Sequence, residues 1–209
     1  MFWLSAENFD GNHPNGEQVI TGSATGLSSD SIGNAVSSSG TINVVNDRGH
    51  SAYYFDKTNA ILSSATVNTQ YTFVTVFRSK SASYAGRFFT ANEGNRSFAS
   101  WDRWVGIYYS QSWICQQNKQ STEIEFYIAM NNNGTKNMWD VKMNQLIVQS
   151  STAGANAWGK TVIGKPESSP VEAGEVFVYE ALVFDYVLSG PQLQLVNHML
   201  RKKFCMHIR

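Results

Sequence analysis

The stretch from Trp101 to Tyr109, which reads WDRWVGIYY, places aromatic and charged residues at alternating positions. Side chains alternate between the two faces of a strand, so Trp104 and Tyr108 share one face and the aliphatic residues share the other. If the aliphatic face is core, the two rings stand exposed ~13 Å apart, enough to stack two or three sugar rings. Asp102 and Arg103 would then hydrogen-bond sugar hydroxyls. The alternative is that both faces are partly buried and the aromatic rings belong to the core.

Two carboxylates lie close together in the segment EIEFY, at Glu123 and Glu125. A glycoside hydrolase needs two carboxyl groups that flank the scissile bond. Strand alternation offers a simpler interpretation, in which Glu123, Glu125 and Tyr127 face solvent. The residues then predicted to face the core are Ile124, Phe126, Ile128 and Met130.

The segment GANAWGKT, residues 154–161, matches the pattern of a phosphate-binding loop. That chemistry needs a helix directly after the loop, whose first amides face the phosphates. The residues that follow include Val162, Ile163 and Pro166, which cannot begin a helix of useful length. The sequence therefore predicts a strand here and no nucleotide site.

Metal ligands and nucleophilic catalytic groups show no motif. The aspartates are scattered and form no repeated calcium-binding loop. Calcium binding is therefore possible for this chain, but no motif supports it. The four histidines lie far apart in the sequence, which leaves zinc binding and a Ser-His-Asp arrangement unsupported. No cofactor is expected.

The cellular compartment also remains open. Cys115 and Cys205 form either one bridge or two buried free thiols, and neither has a His or Cys at ligand spacing. Asn95 and Asn133 lie in glycosylation sequons, which matter only on a secretory route. The first residues lack the basic start and apolar core of a secretory signal.

Composition limits the partners. The chain has 209 residues, of which 15% are charged, and 24 Ser and 18 Asn supply the surface polarity. The 16 basic residues balance the 16 acidic ones, so no field attracts nucleic acid or an anionic membrane. No apolar run reaches the ~18 residues of a spanning helix. These features predict a soluble, neutral and aromatic-rich protein.

The elements that must position these residues are short strands separated by Ser, Asn and Gly, followed by one helix. Residues 8–49 read as loops with two short strands. The helix is predicted over Ser189–Phe204, with Ser189 and Gln192 as a capping box. Its predicted buried stripe is Leu195, Val196, Met199 and Leu200. The other predicted strands are Phe2–Leu4, Tyr53–Phe55, Tyr71–Phe77, Arg87–Thr90, Val105–Ser110, Ile124–Met130, Met138–Met143, Leu146–Gln149, Thr161–Ile163 and Glu175–Phe184.

Several segments, taken in order, resemble laminin-G-like domains: FWLSAENFDG, HSAYYFDKTNAIL, YTFVTVFRSKS, GRFFTANEGN and GEVFVYEALVFDYVLSGPQLQLVNHMLRKKF. The resemblance implies the concanavalin A-like lectin/glucanase fold, an all-β, antiparallel two-sheet jelly-roll sandwich with a short C-terminal helix. It also implies one domain over residues 1–209, with adjacent first and last strands and a helix on the convex side. Glucanases of this superfamily carry Glu-x-Asp-x-Glu along one strand, and this chain departs from that pattern at Glu125 and Tyr127.

The expected function is therefore a non-catalytic recognition or adhesion module that binds glycans weakly through Asp102, Arg103, Trp104 and Tyr108. Multivalency in a larger extracellular or virion-surface assembly would strengthen such binding. One alternative is a structural subunit of a virus or phage particle that uses the sandwich as an assembly block. A glycoside hydrolase of the same fold is the third possibility.

Overall fold

The structure is a computed structural model, which describes residues 1–6, 22–23, 36–81, 86–92, 96–101, 104–109, 112–118, 122–141, 145–150, 157–165 and 172–204. Two of the predicted site residues, Asp102 and Arg103, lie outside these ranges, as do Cys205 and Asn95. Within the described ranges, no helix is long and apolar enough to cross a membrane.

The described residues form strands and a single helix at the C-terminal end. The elements are β1 (Phe2–Ser5), β2 (Gly22–Ser23), β3 (Val36–Ser39), β4 (Asn43–Asp47), β5 (His50–Asp56), β6 (Ala60–Val67), β7 (Gln70–Ser79), β8 (Gly86–Ala91), β9 (Arg96–Trp101), β10 (Trp104–Tyr109), β11 (Ser112–Asn118), β12 (Glu125–Asn132), β13 (Thr135–Asp140), β14 (Gln145–Ser150), β15 (Gly159–Gly164), β16 (Glu175–Phe184) and α1 (Gly190–Lys203).

These strands form two antiparallel sheets packed face to face, which confirms the predicted jelly-roll sandwich. The larger sheet has the order β14-β13-β12-β7-β16-β5-β4-β2, and β1 also pairs with β16. The smaller sheet has the order β11-β10-β9-β8-β15-β6-β3. We call the face of each sheet that meets the other sheet its inner face, and the opposite face its outer face.

The last strand, β16, lies inside the larger sheet and holds it together. It pairs with β7 along its length, and on its other edge with β5 over residues 175–178 and with β1 over residues 180–183. Its run EVFVYEALVF is largely apolar, as expected for a strand covered on both faces. The predicted contact between the first and last strands is confirmed by the pairing of Leu4 with Ala181.

The core has two layers, one on each side of the larger sheet. The first fills the space between the sheets and includes Phe55, Phe73, Phe89, Trp158 and Ile163. The second lies between the outer face of the larger sheet and α1. Its fully or almost fully buried members include Val74, Val76, Phe126, Leu182 and Leu200. The helix therefore covers the outer face of the larger sheet.

The helix begins where the sequence predicted. The backbone N–H and the hydroxyl of Ser189 both donate to the side-chain oxygen of Gln192, at 2.9 Å each, and Pro191 occupies the first turn. The predicted buried stripe is wrong at Leu195, which is 69% exposed, and at Met199, which is 39% exposed.

The stripe that contacts the sheet instead runs through Leu193, Val196, Leu200 and Phe204. These residues recur at intervals of three and four, which place side chains on one face of a helix. The predicted stripe consists of two adjacent pairs, Leu195–Val196 and Met199–Leu200. In each pair the first residue faces solvent and the second contacts the helix-side core.

Strand β12 corrects a second prediction. Glu125 and Tyr127 do not face solvent, because both are buried, with Tyr127 in the core between the sheets. Phe126 and Ile128 lie on the opposite face, under the helix-side core. Alternation correctly separated the two faces of this strand. It could not show that both faces are covered, one by the smaller sheet and the other by the helix.

Candidate functional site

The outer face of the smaller sheet carries the candidate site, because the strand register places the predicted aromatic positions there. Ile107 on β10 lies opposite Phe98 on β9, which lies opposite Phe89 on β8. Phe89 belongs to the core between the sheets, so this row of positions is on the inner face. Neighbouring positions on a strand belong to opposite faces, which puts Trp104, Gly106 and Tyr108 on the outer face. The exposure of the Trp104 and Tyr108 side chains remains a prediction.

Two further tryptophans occupy the same face by register. Trp101 on β9 lies directly opposite Trp104, and Trp113 on β11 lies opposite Tyr108 after a β-bulge. Strand alternation predicts the first pair of aromatic residues but does not predict which strands are paired, because antiparallel partners are set by register and not by local pattern. Gly106, between the two predicted positions, contributes no side chain and is itself buried.

A row of directly opposed residues crosses this face next to the aromatic positions. It consists of Val162 on β15, Thr90 on β8, Ser97 on β9 and Tyr108 on β10. Thr90 is 2% exposed and Ser97 is 0% exposed. Neither side-chain hydroxyl has a hydrogen-bond partner among the described residues. Val162 is 1% exposed, so these three positions of the row are closed to solvent. Nothing in the sequence predicts this burial, because Ser and Thr are common in exposed strands.

An ion pair lies one row away. Arg87 lies opposite Ala99, which lies opposite Gly106, and its Nε is 2.6 Å from an Oε of Glu172. Gly174 donates its backbone N–H to the Arg87 carbonyl at 3.1 Å, which holds the segment bearing Glu172 against β8. The positive charge of Arg87 is therefore balanced at close range.

The outer face of the larger sheet presents a different arrangement, outside the area under the helix. The tip of the β4–β5 hairpin does not pair with β16, because β1 occupies that part of the edge of β16. The tip contacts the outer face of the sheet instead. Two nitrogens of Arg78 donate to the two carboxylate oxygens of Asp47, at 2.6 and 2.7 Å, and the hydroxyl of Tyr179 donates to Asp47 as well. The ring of His50 packs against Phe204 with 4.9 Å between centroids. The hairpin thus fastens the end of the helix to the sheet.

These contacts shift the pKa values of the residues that make them. Burial alone would raise the pKa of Asp47, but the hydrogen bonds from Arg78 and Tyr179 and the charges of Arg78 and Arg48 outweigh it and hold the pKa below its ordinary value. Burial, together with the neighbouring Asp47 carboxylate, raises the pKa of the Tyr179 hydroxyl. Asp47 therefore stays ionised to a lower pH than an ordinary aspartate, and Tyr179 stays protonated to a higher pH than an ordinary tyrosine.

Because the pKa of Asp47 is lower in the folded state than in the unfolded state, its stabilising effect is present above the ordinary aspartate pKa and is lost as pH falls through the folded value. Asp47→Asn is expected to reduce the free energy of unfolding by about 2 kcal/mol at pH 7, and by less near pH 3. Urea unfolding at the two pH values measures this. Asp185→Asn is the control, since Asp185 is exposed and its ion pair with the terminal amine is long, at 3.6 Å. An equal effect of Asp47→Asn at both pH values would contradict the assignment.

The aromatic residues on this second face do not form a stacking platform. Tyr54 and Phe177 lie opposite each other on β5 and β16 and stack with centroids 4.8 Å apart, and the Arg78 guanidinium lies 4.1 Å from the Phe177 ring centre. The faces of these rings are therefore occupied by protein groups. A sugar stacks on a ring face, so this row serves the sheet itself.

The carboxylates considered for hydrolysis are separated by the fold. Glu123 is exposed and forms an ion pair with Arg48, whereas Glu125 is buried on the inner face of the larger sheet. Burial first, and then the nearby Glu125 and Asp140, raises the pKa of Tyr127. The two glutamates thus do not share one open surface. Among the described residues, no group of three His, Cys, Asp or Glu side chains could hold a metal ion.

The phosphate-loop pattern ends in β15, which pairs with both β6 and β8, and Trp158 just before it is buried in the core. As expected, a strand and not a helix follows the pattern.

No protein-family model matches the chain, and no curated protein matches it in sequence. Solved structures do match in fold. Domain 4 of AbnA, an extracellular arabinanase of Geobacillus stearothermophilus solved with arabinotriose, matches with a TM-score of 0.59 and 12% identity, over 82% of this chain and 92% of that one. A chain from a study of botulinum neurotoxin type C, whose cell entry depends on two ganglioside molecules, matches with a TM-score of 0.59 and 10% identity, over 81% of this chain and 47% of that one.

The sialidase of Trypanosoma rangeli, solved with the inhibitor DANA, matches with a TM-score of 0.55 and 11% identity, over 75% of this chain and 29% of that one. The chain therefore spans about half of the neurotoxin chain and under a third of the sialidase chain. At these identities the matches establish the fold alone, a two-sheet jelly-roll sandwich.

Proposed function

We propose that this chain is a non-catalytic glycan-binding module, and that it binds through the outer face of the smaller sheet. The observation that carries the proposal is the register of β9, β10 and β11, which gathers four aromatic positions on one face: Trp101, Trp104, Tyr108 and Trp113. Aromatic rings bind the apolar faces of sugars, and a row of them ~13 Å long suits an oligosaccharide.

The comparisons support the proposal at the level of the fold. The arabinanase domain, which this chain matches over almost its whole length, was solved with a bound oligosaccharide. In the neurotoxin and the sialidase the matching region is only part of a longer chain, as expected for a fold used as a module. A shallow aromatic surface binds a single glycan weakly, so useful affinity comes from several copies in an extracellular or surface assembly.

The proposal predicts that Trp104→Ala and Tyr108→Ala each weaken binding of a neutral oligosaccharide at least about tenfold with little loss of stability, because each removes an aromatic contact from the face. A glycan array identifies the oligosaccharide, and isothermal titration measures Kd for each variant. Thermal unfolding checks that the variants are folded.

Tyr54→Ala is the matched control, since it removes an aromatic residue from the outer face of the other sheet. It should leave Kd within about twofold of the wild-type value. The proposed site is rejected if the wild-type protein binds no oligosaccharide either as a monomer or in multivalent display. It is also rejected if Tyr54→Ala raises Kd as much as Trp104→Ala does. Unfolding of Trp104→Ala would show that the ring belongs to the core.

A further inference from the structure

We propose that Asn133 is a site of covalent modification by deamidation, and that the buried side chain of Asn131 keeps the rate low in the folded protein. The site lies at the tip of the β12–β13 hairpin and is independent of the glycan-binding face. Asparagine followed by glycine is especially prone to deamidation, because glycine has no side chain to hinder attack by its own backbone nitrogen. The sequence contains two such dipeptides, Asn15-Gly16 and Asn133-Gly134.

The reaction needs only water. The backbone nitrogen of Gly134 attacks Cγ of Asn133 and forms a C–N bond, while the bond from Cγ to Nδ2 breaks. Nδ2 leaves as ammonia and carries away the proton that the Gly134 nitrogen gives up. One water molecule then opens the five-membered imide, either to aspartate or to isoaspartate, in which the backbone runs through the former side-chain carbon.

The attacking nitrogen is held in the folded protein. Gly134 is buried, and its N–H donates to Oδ1 of Asn131 at 3.1 Å. Asn131 is 0% exposed and is itself fixed, because its Nδ2 donates to the Thr69 carbonyl at 2.7 Å and Lys136 Nζ donates to its Oδ1 at 3.2 Å. The Gly134 nitrogen must lose its proton to attack, and both the hydrogen bond and the burial oppose that loss.

The side chain under attack is held as well. Asn133 is exposed, and its Oδ1 accepts the Thr69 hydroxyl at 3.2 Å, which ties the amide to the residue before β7. The two-residue turn also fixes the backbone, with φ of +47° at Asn133 and +104° at Gly134 between the paired Asn132 and Thr135. The imide forms only when the side chain and the Gly134 nitrogen rotate toward each other, so the hairpin tip must open first.

The modification changes the hairpin permanently. Either product replaces a neutral amide with a carboxylate, so one event takes the formal net charge of the chain from 0 to −1. Isoaspartate also lengthens the backbone of a two-residue turn, and the length of that turn sets the register of β12 against β13. Deamidation at Asn133 therefore records opening of the hairpin tip.

The test measures the deamidation rate at Asn133 at mildly alkaline pH, by peptide mapping and mass spectrometry. In the folded wild-type protein the rate should be at least about tenfold lower than in concentrated urea, because a hydrogen bond must break and a buried nitrogen must reach water. Asn15 is followed in the same urea digests as a check on conditions, since both dipeptides are then free of the fold.

Asn131→Ala removes the acceptor of the Gly134 N–H, and in the folded protein it should raise the rate at Asn133 about 3–10-fold. Asn131→Asp is the matched control, because a carboxylate oxygen still accepts from Gly134 and from Lys136. Its rate should stay within about twofold of the wild-type rate. Leu200→Ala controls for a general loss of stability, since Leu200 lies in the helix-side core, and it should leave the rate unchanged.

An unchanged rate in Asn131→Ala overturns the role of Asn131. An equal rise in Leu200→Ala overturns it too, because global unfolding would then limit the reaction. Native-state hydrogen exchange of the Gly134 N–H tests the same bond without a variant, so it decides the matter if Asn131→Ala does not fold. Strong protection supports the proposal, and exchange as fast as in an unfolded chain overturns it.

Discussion

Gly86→Ala is expected to destabilise the protein by about 2–5 kcal/mol, whereas Gly49→Ala should cost only about 1–2 kcal/mol. The two glycines have similar backbone angles, with φ of +78° and +84°, so alanine suffers the same left-handed strain at both. They differ in their surroundings. A Cβ at Gly86 would lie 2.6 Å from the Glu172 carbonyl oxygen and 2.6 Å from the Gly174 nitrogen, whereas a Cβ at Gly49 meets no atom within 4 Å.

The excess cost at Gly86 therefore measures the close approach of the segment that carries Glu172 to β8. Urea unfolding of both variants gives the two free energies directly. Because the clash is with backbone atoms, the segment must move away, and the Arg87–Glu172 pair should loosen with it. Equal costs at the two glycines would show that the segment does not lie against β8.

Leu200→Ala is expected to cost about 2–5 kcal/mol, and Leu195→Ala less than about 0.5 kcal/mol, although the two leucines lie on the same helix. Leu200 is 0% exposed within the helix-side core, while Leu195 is 69% exposed. For a chain of this size, each kcal/mol lowers Tm by about 2–4 °C. Calorimetry on both variants separates the cavity left in the core from any change in helix propensity, since both replacements are leucine to alanine. A larger loss at Leu195 would mean that the helix is rotated.

The sequence predicted best those elements whose residue pattern is distinctive over a short stretch of chain. The run Glu175–Phe184 is largely apolar, with Glu180 as its interior charge, and is the observed β16. The capping residues placed the start of α1 correctly. Strand β6 was missed, because AILSSATV contains too much Ser and Ala to resemble the neighbouring aromatic strands.

Errors arose wherever burial depended on a distant partner. Leu195 and Leu200 look alike in sequence, and only the docking of α1 decides which of them is buried. Glu125 lies inside the sandwich because both faces of β12 are covered.

The residues of the candidate face also divide into those predicted from a local pattern and those that depend on strand pairing. The strand that carries Trp104 and Tyr108 was predicted from alternation alone. Thr90 and Ser97 are neighbours only because β8 pairs with β9, and their lack of hydrogen-bond partners depends on the packing around both strands. The burial of these two polar residues has no local signature in the sequence.

The central place of β16 has a consequence for synthesis of the chain. Until residues 175–184 leave the ribosome, the larger sheet exists only as two separate parts, one ending at β7 and the other at β5. Each part then presents an open strand edge, which pairs readily with other chains. The nascent protein must therefore keep two unpaired edges apart from their neighbours from the synthesis of β7 until that of β16. A chain interrupted before Glu175 is expected to aggregate, since the strand that joins its halves is missing.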